Sequence, residues 1–119
     1  WSDLKKGNIE NVYSKDLLLS NIMIYILTKT FNSAAWIYFG RREEGGRPFP
    51  KNFKKIRIPT AIAEFPKEML SWPPKSYVKR IFNVKRWTKM KKGGHFAALE
   101  EPDLLVNDIR SFFNKDLNI

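Results

Sequence analysis

An α/β fold is predicted for these 119 residues by three features of the sequence. "IRIPTAIAEF", 56–65, is a short, nearly continuous apolar run with β-branched residues, as expected of a strand covered on both faces of a parallel sheet. "NVKRWTKM", 83–90, has the character of a second strand, and the short helical stretch "KSYVKRIF" lies between the two. A strand, helix, strand unit of this length is a parallel crossover that brings both carboxyl ends to one rim, where open α/β sheets place their ligands.

The flanking elements follow in order. Ser14 or Asp16 can cap a helix through "LLLSNIMIYILTKTF", and a second helical stretch, "NSAAWIYFGRRE", succeeds it. Leu18, Ile22, Tyr25 and Ile26 keep the helical period, but Leu17, Leu19, Met23 and Leu27 fill the other face, so the first helix is expected to be buried on several sides. "GRREEGGRPFPKNFKK" collects Gly, Pro and charge without periodicity and marks a surface loop. Pro59 should lie near the start of the first strand, where a missing N–H is tolerated. "FPKEMLSWPP" is a loop with proline near both ends. The lysines of the second strand suit a sheet edge, where charge discourages further pairing. Gly93-Gly94 turns the chain, and "EEPDLLVNDIRSFF" forms the last helix, with Pro102 at its first position and Leu104, Leu105, Ile109, Phe112 and Phe113 on one face.

Composition narrows the functional classes. At 43% hydrophobic the chain can build one modest core but not two. It has no cysteine, which excludes disulfides and thiolate chemistry, and its single histidine argues against an all-protein zinc or iron site. The longest apolar run, Leu17–Leu27, is broken by Ser20-Asn21 and falls short of the roughly 20 residues of a membrane span. The amino terminus has neither an initiator methionine nor the apolar core of a signal peptide, so the chain is expected to be part of a longer one. Of the 22 Lys and Arg, 13 fall between Lys51 and Lys92, opposed only by Glu64 and Glu68. Lys85, Arg86, Lys89, Lys91 and Lys92 could contact phosphates in a basic nucleic-acid-binding module, but the aromatics sit mostly on apolar faces rather than among them, which favours a solvated edge strand.

The candidate chemistry lies at the rim of the crossover. His95 falls just past the second strand, and Glu64 and Glu68 fall at or just past the end of the first. A hydrolytic base needs an imidazole whose second nitrogen is bonded to a carboxylate, which fixes the tautomer and stabilises the imidazolium. A carboxylate after one strand and a histidine after its neighbour fits that requirement. The same residues also fit a structural histidine beside a Gly-Gly turn and solvated loop carboxylates.

The wording of three segments favours the first. "GGHFAALEEPDLLVNDIRSFF" resembles the histidine segment of epoxide hydrolases in the α/β-hydrolase superfamily. "IPTAIAEFPKEML" resembles the acid segment of the microsomal and juvenile-hormone branch, where a Phe-Pro pair shortly precedes the catalytic glutamate. "LLLSNIMIYILTKTFNSAAWIYFGRRE" is similar to the end of that branch's lid. The resemblance implies the carboxy-terminal part of an α/β-hydrolase fold, its last two parallel strands and helices, preceded by lid helices: 1–50 as the end of the lid and a connecting loop, and 51–119 as part of the core. It implies His95 as the base that activates water, Glu68 as its orienting acid, and Tyr38 as one of two phenols that hydrogen-bond the epoxide oxygen.

Competing assignments remain at this level. Glu64 is the alternative acid and Tyr25 the weaker alternative phenol, while Trp36, Phe39 and Phe96 are either pocket wall or packing. The resemblance further implies a small apolar epoxide and water as reactants, an amino-terminal part of the same enzyme as partner, no metal or organic cofactor, no nucleic acid, and membrane association only through upstream residues, in a cytoplasmic or microsomal setting. The family's nucleophilic aspartate and its His-Gly-Trp-Pro stretch do not occur in this chain, which is therefore expected to be inactive by itself. A haloalkane dehalogenase, or a hydrolase-like scaffold without activity, shares the same histidine and acid logic.

Overall fold

The computed structural model describes residues 7–45 and 53–117. They divide into two units, one within residues 14–53 and the other formed by residues 7–13 together with 54–117. The segment 46–52, the middle of the predicted Gly/Pro surface loop, lies outside the described residues.

The first unit contains two helices. α1 (Lys15–Thr28) begins at Ser14, whose side chain accepts from Leu17 N–H at 3.2 Å, so Ser14 rather than Asp16 is the cap. The chain breaks at Lys29 and Thr30, before Phe31, so that residue opens α2 (Phe31–Glu43) instead of continuing α1. The break is a Schellman-type ending: Lys29 N–H bonds Ile26 O, and Thr30 N–H bonds Tyr25 O, both at 3.2 Å. Lys29 takes the left-handed conformation, φ 56° and ψ 31°, at the position where glycine is usual. Tyr25 and Phe31 meet edge to face across the turn, 6.5 Å apart. The expected burial of α1 on several sides is not found, since none of its residues is buried. Its apolar side chains are spread around the axis without a single stripe, and one neighbouring helix cannot cover such a surface.

The second unit contains the sheet. β1 (Ile56–Glu64) and β2 (Phe82–Lys89) pair in parallel, joined by α3 (Lys75–Ile81), and the register brings Glu64 opposite Lys89 at the carboxyl ends. Pro59 is the fourth residue of β1 and falls at a shift of register between Ile56 and Pro59, so the ladder loses little from its missing N–H. β1 is not covered on both faces: Ile58 is 73% exposed, and no β1 residue is fully buried.

At seven residues, and without a side-chain cap, α3 is too short to hold by itself. Burial of Val78 and Ile81, each contributing roughly 1.5–3 kcal/mol, keeps it helical. Phe65, Phe112 and Tyr13, the last just after a short 3-10 turn at Ile9–Asn11, complete the core.

The carboxy-terminal helix starts where expected, but a separate turn precedes it and its last residues widen. α4 (Ala97–Glu100) is a single turn, α5 (Pro102–Ser111) begins at Pro102, and a π turn follows at Phe112–Asp116. The inward face of α5 also differs from the apolar stripe. Phe112 is buried, but Ile109 and Phe113 are each 46% exposed, and Asp108 points inward instead. Thr88 donates to Asp108 Oδ1 at 2.7 Å and Arg86 Nε donates to the same atom at 2.8 Å, with Arg86 also reaching Asp116 at 3.1 Å. A buried carboxylate is tolerated only when so paired, and this one ties α5 to β2.

Replacing Lys29 with glycine should stabilise the protein. Relief of the left-handed strain gives about 1–2 kcal/mol, against roughly 0.5–1 kcal/mol for the added freedom of the unfolded chain. Denaturant unfolding of Lys29→Gly should therefore show a higher midpoint with an unchanged slope.

Candidate active site

Beyond the last strand pair the two chains stay abreast. Met90 N–H donates to Glu64 O at 2.8 Å, and Lys67 N–H donates to Gly93 O at 3.0 Å, with Lys67 and Gly94 forming an isolated parallel bridge. The next residues on the two sides are Glu68 and His95.

This bridge requires both glycines. Gly93 has φ +96°, and a Cβ there would lie 2.8 Å from Glu101 Cγ and 2.9 Å from the Phe65 ring. A Cβ on Gly94 would meet Lys67 O at 2.8 Å. Neither position can take a side chain without moving backbone or a packed ring.

His95 Nδ1 lies 2.7 Å from Glu68 Oε1, a short, charge-assisted contact. The same oxygen accepts Met69 N–H at 2.8 Å. Desolvation, the largest single effect on Glu68, pushes its carboxyl up. The hydrogen bond from His95, the Met69 N–H, the charge of His95 and the Leu70 N–H together outweigh it and hold the group below its ordinary value of 4.5. An ionised Glu68 can only accept, so Nδ1 is the donor in this contact and Nε2 is the ring nitrogen it leaves uncommitted. The imidazole is 44% exposed and stands edge to face against Phe96 at 5.0 Å. Phe96 is itself half exposed.

Glu64 is engaged elsewhere. Its Oε2 accepts from the Trp87 indole at 2.5 Å, and its Oε1 lies 4.0 Å from Lys89 Nζ. Trp87 is braced in turn by an edge-to-face contact with Trp72 at 6.4 Å and by Lys75 over its ring at 5.0 Å, while the Trp72 indole donates to Phe65 O at 3.1 Å. Of the two candidate acids, Glu68 is the one that meets the histidine. Nothing in the sequence singles out Trp87 beyond its place two residues before the end of β2, the strand that pairs with the one Glu64 closes.

The remaining candidates lie on the first unit. Tyr38 is on α2 and 80% exposed. Trp36 and Phe39 pack edge to face at 5.8 Å and line a shallow groove with Asn32 and Ala35. Tyr25 is on α1, against Phe31.

Among the described residues no group of three or more His, Asp or Glu side chains is placed to hold a metal ion, and no helix is long and apolar enough to cross a membrane. Asp108 is tied to Arg86 and Thr88 and offers no free carboxylate for attack.

No family model matches the chain. It is similar to epoxide hydrolase 1 of Sus scrofa, 38% identical over 112 residues that make up 94% of this chain and 25% of that protein. With epoxide hydrolase 1 of Oryctolagus cuniculus it shares 36% identity over 112 residues, again 94% of this chain and 25% of the relative. With juvenile hormone epoxide hydrolase 2 of Ctenocephalides felis it shares 33% over 115 residues, 97% and 25% of the two chains. The chain thus spans about a quarter of the length of the curated relatives it matches.

The depressed pKa of Glu68 has a definite sign. A carboxyl lowered on folding stabilises the native state above its unfolded value and loses that contribution as pH falls through the folded value. Thermal unfolding across an acid series should therefore show stability falling below about pH 4.5, and Glu68→Gln should flatten that fall while lowering stability near neutrality.

Proposed function

We propose that the chain belongs to an epoxide hydrolase of the α/β-hydrolase superfamily and forms its carboxy-terminal part, with 1–50 as the end of the lid and connecting loop and 51–119 as part of the core. The observation that carries this reading is the 2.7 Å contact between His95 Nδ1 and Glu68 Oε1 at the common rim of two parallel strands. Similarity to epoxide hydrolases over nearly the whole chain supports it.

In this reading an aspartate from another segment of the protein attacks an epoxide carbon. The C–O bond breaks, its electron pair stays on oxygen, and the Tyr38 phenol donates a proton there, which it can do without first ionising. An alkyl-enzyme ester and a free hydroxyl result. His95 Nε2 then takes a proton from water, and the hydroxide attacks the ester carbonyl carbon. Collapse of the tetrahedral intermediate releases the vicinal diol and restores the aspartate, and the imidazolium proton returns to the Tyr38 phenolate. The sum is epoxide plus water to diol, one hard step divided into two. Glu68 orients the ring and stabilises the imidazolium without accepting its proton. Phe96 fits a wall of the site, with Trp36 and Phe39 on the lid.

Two variants of the full-length protein separate the steps. His95→Gln should form the alkyl-enzyme normally and hydrolyse it about 10² to 10⁴-fold more slowly, so that the adduct accumulates and is seen by intact-protein mass spectrometry; ordinary turnover would remove His95 from the mechanism. Tyr38→Phe should instead slow adduct formation, by about 10²-fold as for loss of one oxyanion donor. An unchanged formation rate in rapid-quench measurements would take Tyr38 out of the site.

A further inference from the structure

One carboxylate beside the histidine has no part in the chemistry above. Glu100 ends α4, five residues after His95. Its Oε1 accepts the Phe96 backbone N–H at 3.0 Å, across the start of that one-turn helix. On the other side of the histidine, a Cβ on Gly94 would come within 3.3 Å of both Glu100 oxygens. The same side chain therefore lies against the residue before His95 and holds the residue after it.

The carboxylate is backed by Tyr13, a residue only 6% exposed. Burial chiefly, and then the nearby charge of Glu100, pushes the Tyr13 phenol up to about 12. Tyr13 is the last residue before the cap of α1 and belongs to the same unit as the histidine turn.

The His95 ring is only partly covered, so its direction rests on the Glu68 contact and on the backbone that carries it. Phe96, with φ −98° and ψ 50°, is not helical and has no side chain able to cap α4. The Phe96 N–H is left to a side chain further along the turn, and Glu100 supplies the acceptor. Geometry of this kind matters steeply, because misplacing a catalytic group by about 1 Å can cost roughly 10²-fold in rate.

We propose that Glu100 is a positioning residue for His95: it clamps the backbone on both sides of the base so that Nδ1 meets Glu68 and Nε2 faces the ester. The proposal rests on the hydrolytic reading of His95. It assigns the effect to the water-dependent step alone, since formation of the alkyl-enzyme does not use the imidazole.

The test follows both steps in the full-length protein by rapid quench with styrene oxide. Glu100→Ala should leave alkyl-enzyme formation unchanged and slow its hydrolysis by about 10 to 10²-fold. Glu100→Gln keeps an oxygen that can accept the Phe96 N–H and should restore hydrolysis to near the parent rate. Glu100→Asp keeps the charge but shortens the arm, and should behave like the alanine variant; it also serves if Glu100→Ala does not fold. Equal hydrolysis rates in the parent and the alanine or aspartate variants, or parallel losses in both steps, would overturn the proposal. His95→Gln run alongside separates the two ideas: if it accumulates adduct while the Glu100 variants do not, only the positioning role fails, and if it does not accumulate adduct the hydrolytic reading fails first.

Discussion

The parallel pairing of β1 with β2 persists past the strands themselves, and that persistence is the constraint on which the site depends. Two backbone hydrogen bonds, Met90 N–H to Glu64 O and Lys67 N–H to Gly93 O, keep the departing loops side by side for several more residues. Only then do the chains deliver Glu68 and His95, which arrive abreast and in contact. The requirement passes down to the sequence as Gly93-Gly94. The first glycine supplies a left-handed turn under Phe65 and Glu101, and the second lets the Lys67 carbonyl approach.

Around this frame the acids are distributed so that each has its own partner. Glu64 takes the Trp87 indole, Asp108 takes Arg86 and Thr88, and Glu101 takes Lys92 at 2.8 Å. These partners do not change charge near neutral pH, and the bonds hold strand to strand, helix to strand and turn to turn. Glu68 alone among them is matched to an imidazole, the one side chain here whose ordinary pKa lies in the physiological range. The Lys92 pair is exposed at its lysine end and adds little energy. The Asp108 cluster is buried and sets where α5 must lie.

Much of this order is legible in the letters. Apolar runs, proline positions and the Gly-Gly pair mark the crossover and its turn, because each reflects a local rule of backbone geometry. The pairing of His95 with one of two glutamates also follows from that topology. Topology alone does not say which glutamate: the Phe-Pro pair before Glu68 marks it by resemblance, and the physical reason, the Trp87 indole on the neighbouring strand occupying Glu64, is a tertiary contact. Asp108 was hidden for a similar reason, since a periodic pattern counts a carboxylate as solvent-facing and cannot register the arginine and threonine waiting on β2. Helix α1 fails in the opposite direction. Its apolar surround promises burial, but burial is a property of neighbours, and the two helices of residues 14–53 provide too few.

The acid and the base are only 27 residues apart along the chain, with a short helix and one strand taking up most of the interval. Closing a loop of that size is entropically inexpensive, and a doubling of its length would add only about 0.6 kcal/mol. Nearly all the order needed to join them therefore lies within one strand, helix, strand unit. The dyad can be assembled ahead of any more distant element that completes a reaction centre around it, much as a hinge is fitted before the door is hung.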